Sequence, residues 1–279
     1  MLTTHTKNSF GCLDSGAYHP WVKAIFEMSR IGTIFQSVVH YPILLKLLLA
    51  LAPKSALEER EMHIEMSKAK LRRRMESDKD RPDLIEGLLK KADDWGLTLD
   101  KLQANSAILI IGGSETTATL LSGVTFLLLT HESALRKLTD EIRSAFKSED
   151  EINFASVSVL PYLLACLDEA LRMYPPVPTG LPRVVPKGGA TIAGEFVPEG
   201  VSVAPHITVY FWRSELTKSR VLQNVVAVHQ WATYHNDEHF KDPFTFHPER
   251  WLGDPAFATD NKEAFQPFHL GARNCLGKK

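Results

Sequence analysis

The most constraining feature of this sequence is the segment 99–130, in which apolar residues fall on nearly every face of a helix and no proline interrupts the pattern. A helix that is hydrophobic all round is buried inside a large domain. Shorter amphipathic helices are predicted for 131–147 and 160–173, and Pro175 and Pro176 end the second of these. The sequence therefore predicts a mainly α domain with helix 99–130 buried on all sides in its middle.

A small β element is predicted later in the chain. Segment 189–198 alternates between apolar and polar residues like a strand and meets a turn at Glu199 and Gly200. Segment 235–260 is rich in proline, aspartate, histidine and aromatic residues, which indicates an irregular loop. The predicted fold class is mainly α with a small β element.

Composition limits the classes of partner. The formal net charge is −1, so nucleic acid is not an expected partner. Cys12, Cys166 and Cys275 are widely spaced and odd in number, which is typical of a reducing compartment. Segment 41–53 (YPILLKLLLALAP) is shorter than the roughly 20 apolar residues that a spanning helix needs. A core helix and a segment resting on a membrane surface both remain open for it.

The densest group of chemically informative residues lies at 268–277. A cysteine that ligates iron must be a thiolate, which a metal ion and nearby backbone N–H groups stabilise, and Cys275 is the candidate. Gly271 and Gly277 permit tight turns close to a flat cofactor. Arg273 could pair with a carboxylate, and Phe268 would shield the sulfur from water. The alternative is a buried, inert cysteine in a turn.

Two further groups of residues suggest chemistry. Segment 112–117 (GGSETT) places two glycines inside the long helix, where each costs about 1 kcal/mol relative to alanine. A ligand lying against the backbone would explain them, and Glu115 and Thr116 could then deliver protons to bound oxygen. A helix-packing site of small residues is the alternative.

The second group is an i, i+3 pair. Glu169 and Arg172 share one face of helix 160–173, and Arg250 is a candidate third partner for a buried pair. His235 and His239, spaced i, i+4, are candidate metal ligands, but no cysteine pair or acidic ligand pattern supports such a site.

These motifs occur in the order seen in the cytochrome P-450 superfamily, and the chain resembles the carboxy-terminal half of a fungal microsomal member. Segment 113–117 matches the oxygen-activation motif on the family's long central helix. Segment 169–172 matches its ExxR motif and 246–251 its PERF-like segment. Segment 268–277 matches the FxxGxRxCxG haem-binding signature at every fixed position. The implied fold is an incomplete cytochrome P-450 domain over residues 1–279.

The resemblance implies a role for each matched residue. Cys275 would be the axial ligand of the iron of haem b, its thiolate favouring O–O cleavage. The remaining implied roles fall into three groups: Arg273 and Arg183 hold haem propionates, Glu115 and Thr116 relay protons, and Glu169, Arg172 and Arg250 lock the loop beneath the haem.

The resemblance also implies a whole-protein function. It is hydroxylation of a hydrophobic small molecule by O2, in fungal secondary metabolism, with electrons from an NADPH-cytochrome P-450 reductase. The implied location is the cytoplasmic face of the endoplasmic reticulum membrane, which segment 41–53 would touch, although this chain lacks the family's membrane anchor. Two alternatives stay open: a haem-thiolate enzyme that rearranges an oxygenated substrate without external electrons, and a truncated, inactive fragment.

Three departures from the family pattern are expected to matter. The amino-terminal half has no counterpart here, and Lys279 follows Gly277 too closely for the helix that normally succeeds the cysteine. Segment 201–223 interrupts a predicted hairpin without clear periodicity, and its removal would join Gly200 to Asn224 in a Gly-Asn turn. Intron-like codons could encode its ends. The hypothesis is a translated, retained intron, against the alternative of a genuine surface insertion.

Overall fold

The computed structural model describes residues 16–17, 34, 38, 41–51, 54–76, 83–181, 183–199 and 225–278. The hypothesised insertion 201–223 and Cys12 lie outside these ranges. The chain divides into two compact units, Met1–Glu115 and Thr116–Lys279. Both units contribute to one long helix, whose bounds are those predicted from the sequence, Leu99–Thr130.

The first unit is helical within the described ranges. Its helices are α1 (Pro42–Ala50), α2 (Lys54–Met75), α3 (Leu84–Lys90) and the first half of α4 (Leu99–Thr130). The Asp83 side chain accepts hydrogen bonds from the first backbone N–H groups of α3 and so caps it. A small core forms where Leu71 of α2, Ile85 of α3 and Leu102 of α4 pack together.

The second unit contains the larger core. After α4 come α5 (Glu132–Ala145), the short α6 (Phe154–Val157), α7 (Pro161–Met173) and the one-turn helix α8 (Gln230–Tyr234), with 3-10 turns at Glu149–Glu151, Pro248–Leu252, Pro255–Phe257, Lys262–Ala264, Gly271–Arg273 and Leu276–Lys278. The Glu141 carboxylate of α5 accepts hydrogen bonds from the N–H groups of Tyr162 and Leu163, in the first turn of α7, each at 2.8 Å. Apolar residues of α4, α5 and α7 and Phe246 enclose the buried Cys166.

Four short strands pair in two antiparallel ladders. β1 (Arg183–Val184) pairs with β4 (Val225–Val226), and β2 (Ala190–Ile192) pairs with β3 (Glu195–Val197). The prediction of one strand over 189–198 was wrong, because Ala193 and Gly194 both have positive φ and turn the segment back on itself. The hairpin predicted for a chain without 201–223 stays a prediction, because Gly200 and Asn224 lie outside the described residues. In the present chain β4 pairs with β1 and β3 with β2.

The prediction that α4 is buried on every face was wrong. Ile108 is 69% exposed and Phe126 66%, and Leu121 and Leu129 are exposed as well. The core of each unit covers one face of its own half of α4, and the apolar side chains on the other faces stay exposed. Of the helices in the described ranges, α4 has the length and composition of a membrane span, a property that core helices of soluble proteins share. The apolar side chains Ile43, Leu44 and Leu47 of α1 are exposed too, which disfavours the core-helix reading of 41–53.

Candidate functional site

The most buried polar group in the second unit centres on Glu169 of α7. Arg172, one helical turn along, donates to both Glu169 carboxylate oxygens at 2.8 and 2.9 Å. Arg250 approaches the same carboxylate with Nε at 3.3 Å, and all three side chains are fully buried. The structure thus brings together the three residues of the predicted triad, although the role of this triad beneath a haem stays a prediction.

The Arg172 guanidinium also binds the irregular chain that follows α8. Nη1 donates to the carbonyl oxygens of Tyr234 at 2.8 Å and Pro243 at 2.7 Å, and Nη2 donates to that of Thr245 at 3.2 Å. The ring of Phe240 lies 5.5 Å from the guanidinium carbon. One side chain of α7 therefore holds three points of segment 234–245 in place.

Two members of this network were missed by the sequence analysis. Trp251 donates from its indole Nε1 to Glu169 at 3.0 Å. The side chain of Asp260 is fully buried and pairs with Arg250, while its other carboxylate oxygen accepts the N–H of Lys241 at 2.8 Å. The only sequence signal for Asp260 is its acidic side chain within an irregular segment. Its partner Arg250 lies ten residues earlier, and the chain between the two has no helical repeat that would predict the pairing.

The predicted cysteine loop is folded around its own backbone. The Cys275 N–H donates to the carbonyl of Phe268 at 2.8 Å, which closes the loop. The Gly277 N–H points at the Cys275 sulfur, with N and Sγ 3.3 Å apart. His269 and Gly271 both have positive φ, 58° and 80°, and the second of these needs a glycine to be free of strain.

The donor set of this loop fits a haem thiolate ligand. Cys275 is exposed, and it already faces the type of backbone N–H donor that stabilises a thiolate. Arg273 is exposed on the same loop and can meet a carboxylate, and Leu270 and Leu276 offer exposed apolar surface. By contrast Cys166 is buried, and this burial, with help from the nearby Glu249, Glu141 and Glu169 carboxylates, raises the pKa of its thiol to about 12. Cys166 is unsuited to ligation.

The remaining predicted residues lie on three elements. Glu115 and Thr116 are consecutive on α4, the first closing one unit and the second opening the other. Both are half-buried, and burial raises the pKa of the Glu115 carboxyl. Arg183 is half-buried on β1. His235, a candidate metal ligand, directs its Nδ1 to the carbonyl oxygen of Trp231 at 2.8 Å and stacks on the indole of that residue.

An open pocket of about 330 Å³ lies in the second unit, on the second half of α4. Among the residues that the structure describes, no predicted site residue and no charged side chain lines it. Its lining residues are Ser122, Gly123, Phe126, Leu127, Met173 and Tyr174.

The Cys275 loop and the buried Glu169 network indicate the class of haem-thiolate proteins, and comparison with known proteins agrees with this class. The cytochrome P-450 family matches residues 3–212 and 223–279. The chain belongs to the cytochrome P-450 family. Residues 213–222, which fall between the two matched segments, lie inside the hypothesised insertion.

Curated fungal relatives match nearly the whole chain. The cytochrome P-450 monooxygenase prhB of Penicillium brasilianum is 44% identical over 269 residues, 96% of this chain and 50% of its own length. The monooxygenase tpeC of Talaromyces stipitatus is 46% identical over 272 residues, 97% of this chain and 48% of its own. The monooxygenase astA of Talaromyces wortmannii is 40% identical over 271 residues. The chain spans about half the length of these relatives.

Proposed function

We propose that the protein acts as a haem-thiolate monooxygenase. The reaction is R–H + O2 + NADPH + H⁺ → R–OH + H2O + NADP⁺, in which a C–H bond gains one oxygen atom and the other leaves as water. The observation that carries this proposal is the exposed sulfur of Cys275, facing the N–H of Gly277 in a loop closed by the bond from Cys275 to Phe268. The cytochrome P-450 family membership and the monooxygenases among its relatives support it.

Each residue then has a defined task. Cys275 would hold the iron of haem b, which supplies oxygen activation when bound. The N–H of Gly277 would stabilise the thiolate charge, and Arg273 would pair with a propionate, with Arg183 as a second candidate. Burial raises the pKa of the Glu115 carboxyl above its ordinary value, so this group would hold more readily a proton that the Thr116 hydroxyl passes on.

The partners and the location extend this proposal. A hydrophobic small molecule is the expected substrate class, in secondary metabolism, with two electrons supplied by an NADPH-cytochrome P-450 reductase. We place the protein at the cytoplasmic face of the endoplasmic reticulum membrane. The exposed apolar side chains of α1, Ile43, Leu44 and Leu47, support contact of this segment with the membrane surface.

The reduced, carbon monoxide-bound difference spectrum of the purified full chain tests the proposal. Reconstitution with haem should give the long-wavelength Soret band after which the family is named, and Cys275→Ser should abolish it. Cys166→Ala is the matched control, because Cys166 is buried and its replacement is expected to leave the band in place. Absence of the band from the unmodified chain, or its persistence in Cys275→Ser, would overturn the proposal.

Consumption of NADPH in the presence of reductase separates the monooxygenase from a haem-thiolate enzyme that rearranges its substrate. The proposal requires one NADPH consumed for each molecule hydroxylated. Turnover without NADPH would contradict it.

A further inference from the structure

The one-turn helix α8 lies between the buried Glu169 network and the cysteine loop and bonds to both. Gln230, at its first position, is only 4% exposed. Its amide nitrogen donates to the carbonyl oxygens of Gln266 at 3.1 Å and Pro267 at 3.2 Å. Nδ1 of His269 lies 3.4 Å from the same nitrogen. One amide group therefore holds the residues that lead into the cysteine loop.

Tyr234, at the last position of α8, completes this contact. It is 1% exposed, and its hydroxyl oxygen accepts the N–H of Gln266 at 3.0 Å. The backbone carbonyl of Tyr234 accepts Nη1 of Arg172 at 2.8 Å. Its ring packs against Phe265, with centroids 5.3 Å apart. The N–H of Gln266 is thus held by Tyr234, and its C=O by Gln230.

These bonds fix the start of a loop whose end is the cysteine. The carbonyl of Gln266 also accepts the N–H of His269 at 3.0 Å, and His269 occupies the left-handed region. Phe268, the residue before His269, accepts the N–H of Cys275. A shift of segment 266–267 would therefore move the acceptor to which the Cys275 backbone is tied.

We infer that Gln230 and Tyr234 are positioning residues for the Cys275 loop, linking it through α8 to Arg172. Neither side chain touches the sulfur, so each acts through the backbone of segment 266–269. Gln230 and Tyr234 hold the loop in the haem-free chain as well. That this positioning matters for ligation of haem by Cys275 rests on the proposed function.

The test compares two variants with two matched controls in the full chain. Gln230→Glu keeps the shape of the side chain but replaces the NH2 donor by an acceptor that faces two carbonyl oxygens. Tyr234→Phe is milder and removes only the hydroxyl. The controls are Gln103→Glu, at a buried glutamine of the first unit, and Tyr162→Phe, whose hydroxyl bonds Glu249 away from the loop.

The first readout needs no haem. Amide hydrogen exchange at Gln266, His269 and Cys275 should rise at least about tenfold in Gln230→Glu and severalfold in Tyr234→Phe. The rate of Cys275 alkylation by iodoacetamide should fall in both variants, because a loosened loop no longer holds the Gly277 N–H against the thiolate of the already exposed sulfur. The α7 amides should keep their protection. Rates equal to those of the controls would overturn the inference, as would a loss of α7 protection equal to that of the loop in both variants.

The second readout is spectroscopic. In the haem-loaded chain, both variants should shift the carbon monoxide-bound Soret absorption from the thiolate-ligated band toward the shorter-wavelength band of a neutral ligand, and the controls should not. An unchanged ratio of the two bands in both variants counts against the inference. A chain that never takes up haem would overturn the proposed function while the exchange and alkylation results still decide the role of Gln230 and Tyr234.

Discussion

At Glu169, one buried carboxylate accepts bonds from two guanidinium groups, Arg172 and Arg250. Two cations beside one anion would leave an uncompensated charge in the interior, and this is costly. The fully buried side chain of Asp260 supplies the second anion, so that the four side chains sum to zero charge. Asp260 is therefore as necessary to the network as the motif residues.

Replacing Asp260 by asparagine should strongly destabilise the second unit. Asp260→Asn keeps the shape and an oxygen for the Lys241 N–H, but it leaves two guanidinium cations against the single carboxylate of Glu169, so the buried network has one unbalanced positive charge. The expected loss is about 3–5 kcal/mol in the free energy of unfolding. Chemical denaturation monitored by circular dichroism measures this loss. Asp237→Asn, the same change at an exposed position, is the control, and an equal effect in the two variants would contradict the role of Asp260.

Asp168 should make stability depend on pH. Burial, and then the negative charge of Glu169, raise the pKa of the Asp168 carboxyl above its ordinary value of 3.8. The folded state thus holds this proton more tightly than the unfolded state. The free energy of unfolding therefore falls as the pH rises from below 3.8 through the raised pKa of Asp168. Above the raised pKa, the folded state bears the full cost of the ionised Asp168 carboxylate.

Asp168→Asn should remove this penalty. The variant should have the higher free energy of unfolding at pH 7, with an advantage that shrinks as the pH is lowered toward 3. Denaturation curves at a series of pH values measure the difference. Asp140 likewise precedes a glutamate, Glu141, but its side chain is exposed, so Asp140→Asn serves as the control. A constant difference between Asp168→Asn and the unmodified chain at all pH values would refute the assignment.

At the scale of elements, local sequence patterns predicted the bounds of the helices but not which residues pack against them. The bounds of α4 follow from apolar residues on nearly every helical face with no proline between them, and those of α7 follow from its period and the prolines after it. Periodicity alone cannot say what covers a helix, so the exposure of Phe126 was not foreseen. The partners of Glu169 at Trp251 and Asp260 depend on the irregular path of the chain beyond α8. The sequence has no period there from which to infer them.

The glycines of α4 provide a test at this scale. A Cβ added at Gly113 meets nothing within 4 Å, whereas one at Gly123 would lie 2.7 Å from Cδ1 of Tyr174. Gly113→Ala should therefore raise the free energy of unfolding of the haem-free chain by about 0.5–1 kcal/mol through helix propensity. Gly123→Ala should gain less or lose stability because Tyr174 must move. Thermal unfolding of the two variants measures both changes.

The same pair also tests the ligand explanation of the glycines. If a cofactor lies against Gly113, then Gly113→Ala should stabilise the haem-free chain and weaken haem uptake in a titration. Full haem uptake by Gly113→Ala would favour the alternative, a site of small residues without a ligand.

At the scale of the molecule, the family match and the strand pairing bear on segment 201–223 together. The family match stops at residue 212 and resumes at 223, and β1 and β4, on either side of the segment, pair with each other. We propose that 201–223 is the translation of a retained intron. Transcript reads across the region decide its origin, since spliced messages that keep these codons would contradict it.

Deleting residues 201–223 should leave the second unit intact. The deletion shortens the connection between β1 and β4 by less than a factor of three, and the loop-closure contribution changes by about 1 kcal/mol or less, in favour of the folded state. The free energy of unfolding should thus stay the same or rise slightly, with the Cys275 alkylation rate unchanged. Replacing the segment by a Gly/Ser sequence of equal length separates the effect of length from that of sequence. A fall of more than about 2 kcal/mol in both variants would mean that the native residues of 201–223 support the fold, and the insertion hypothesis would be wrong.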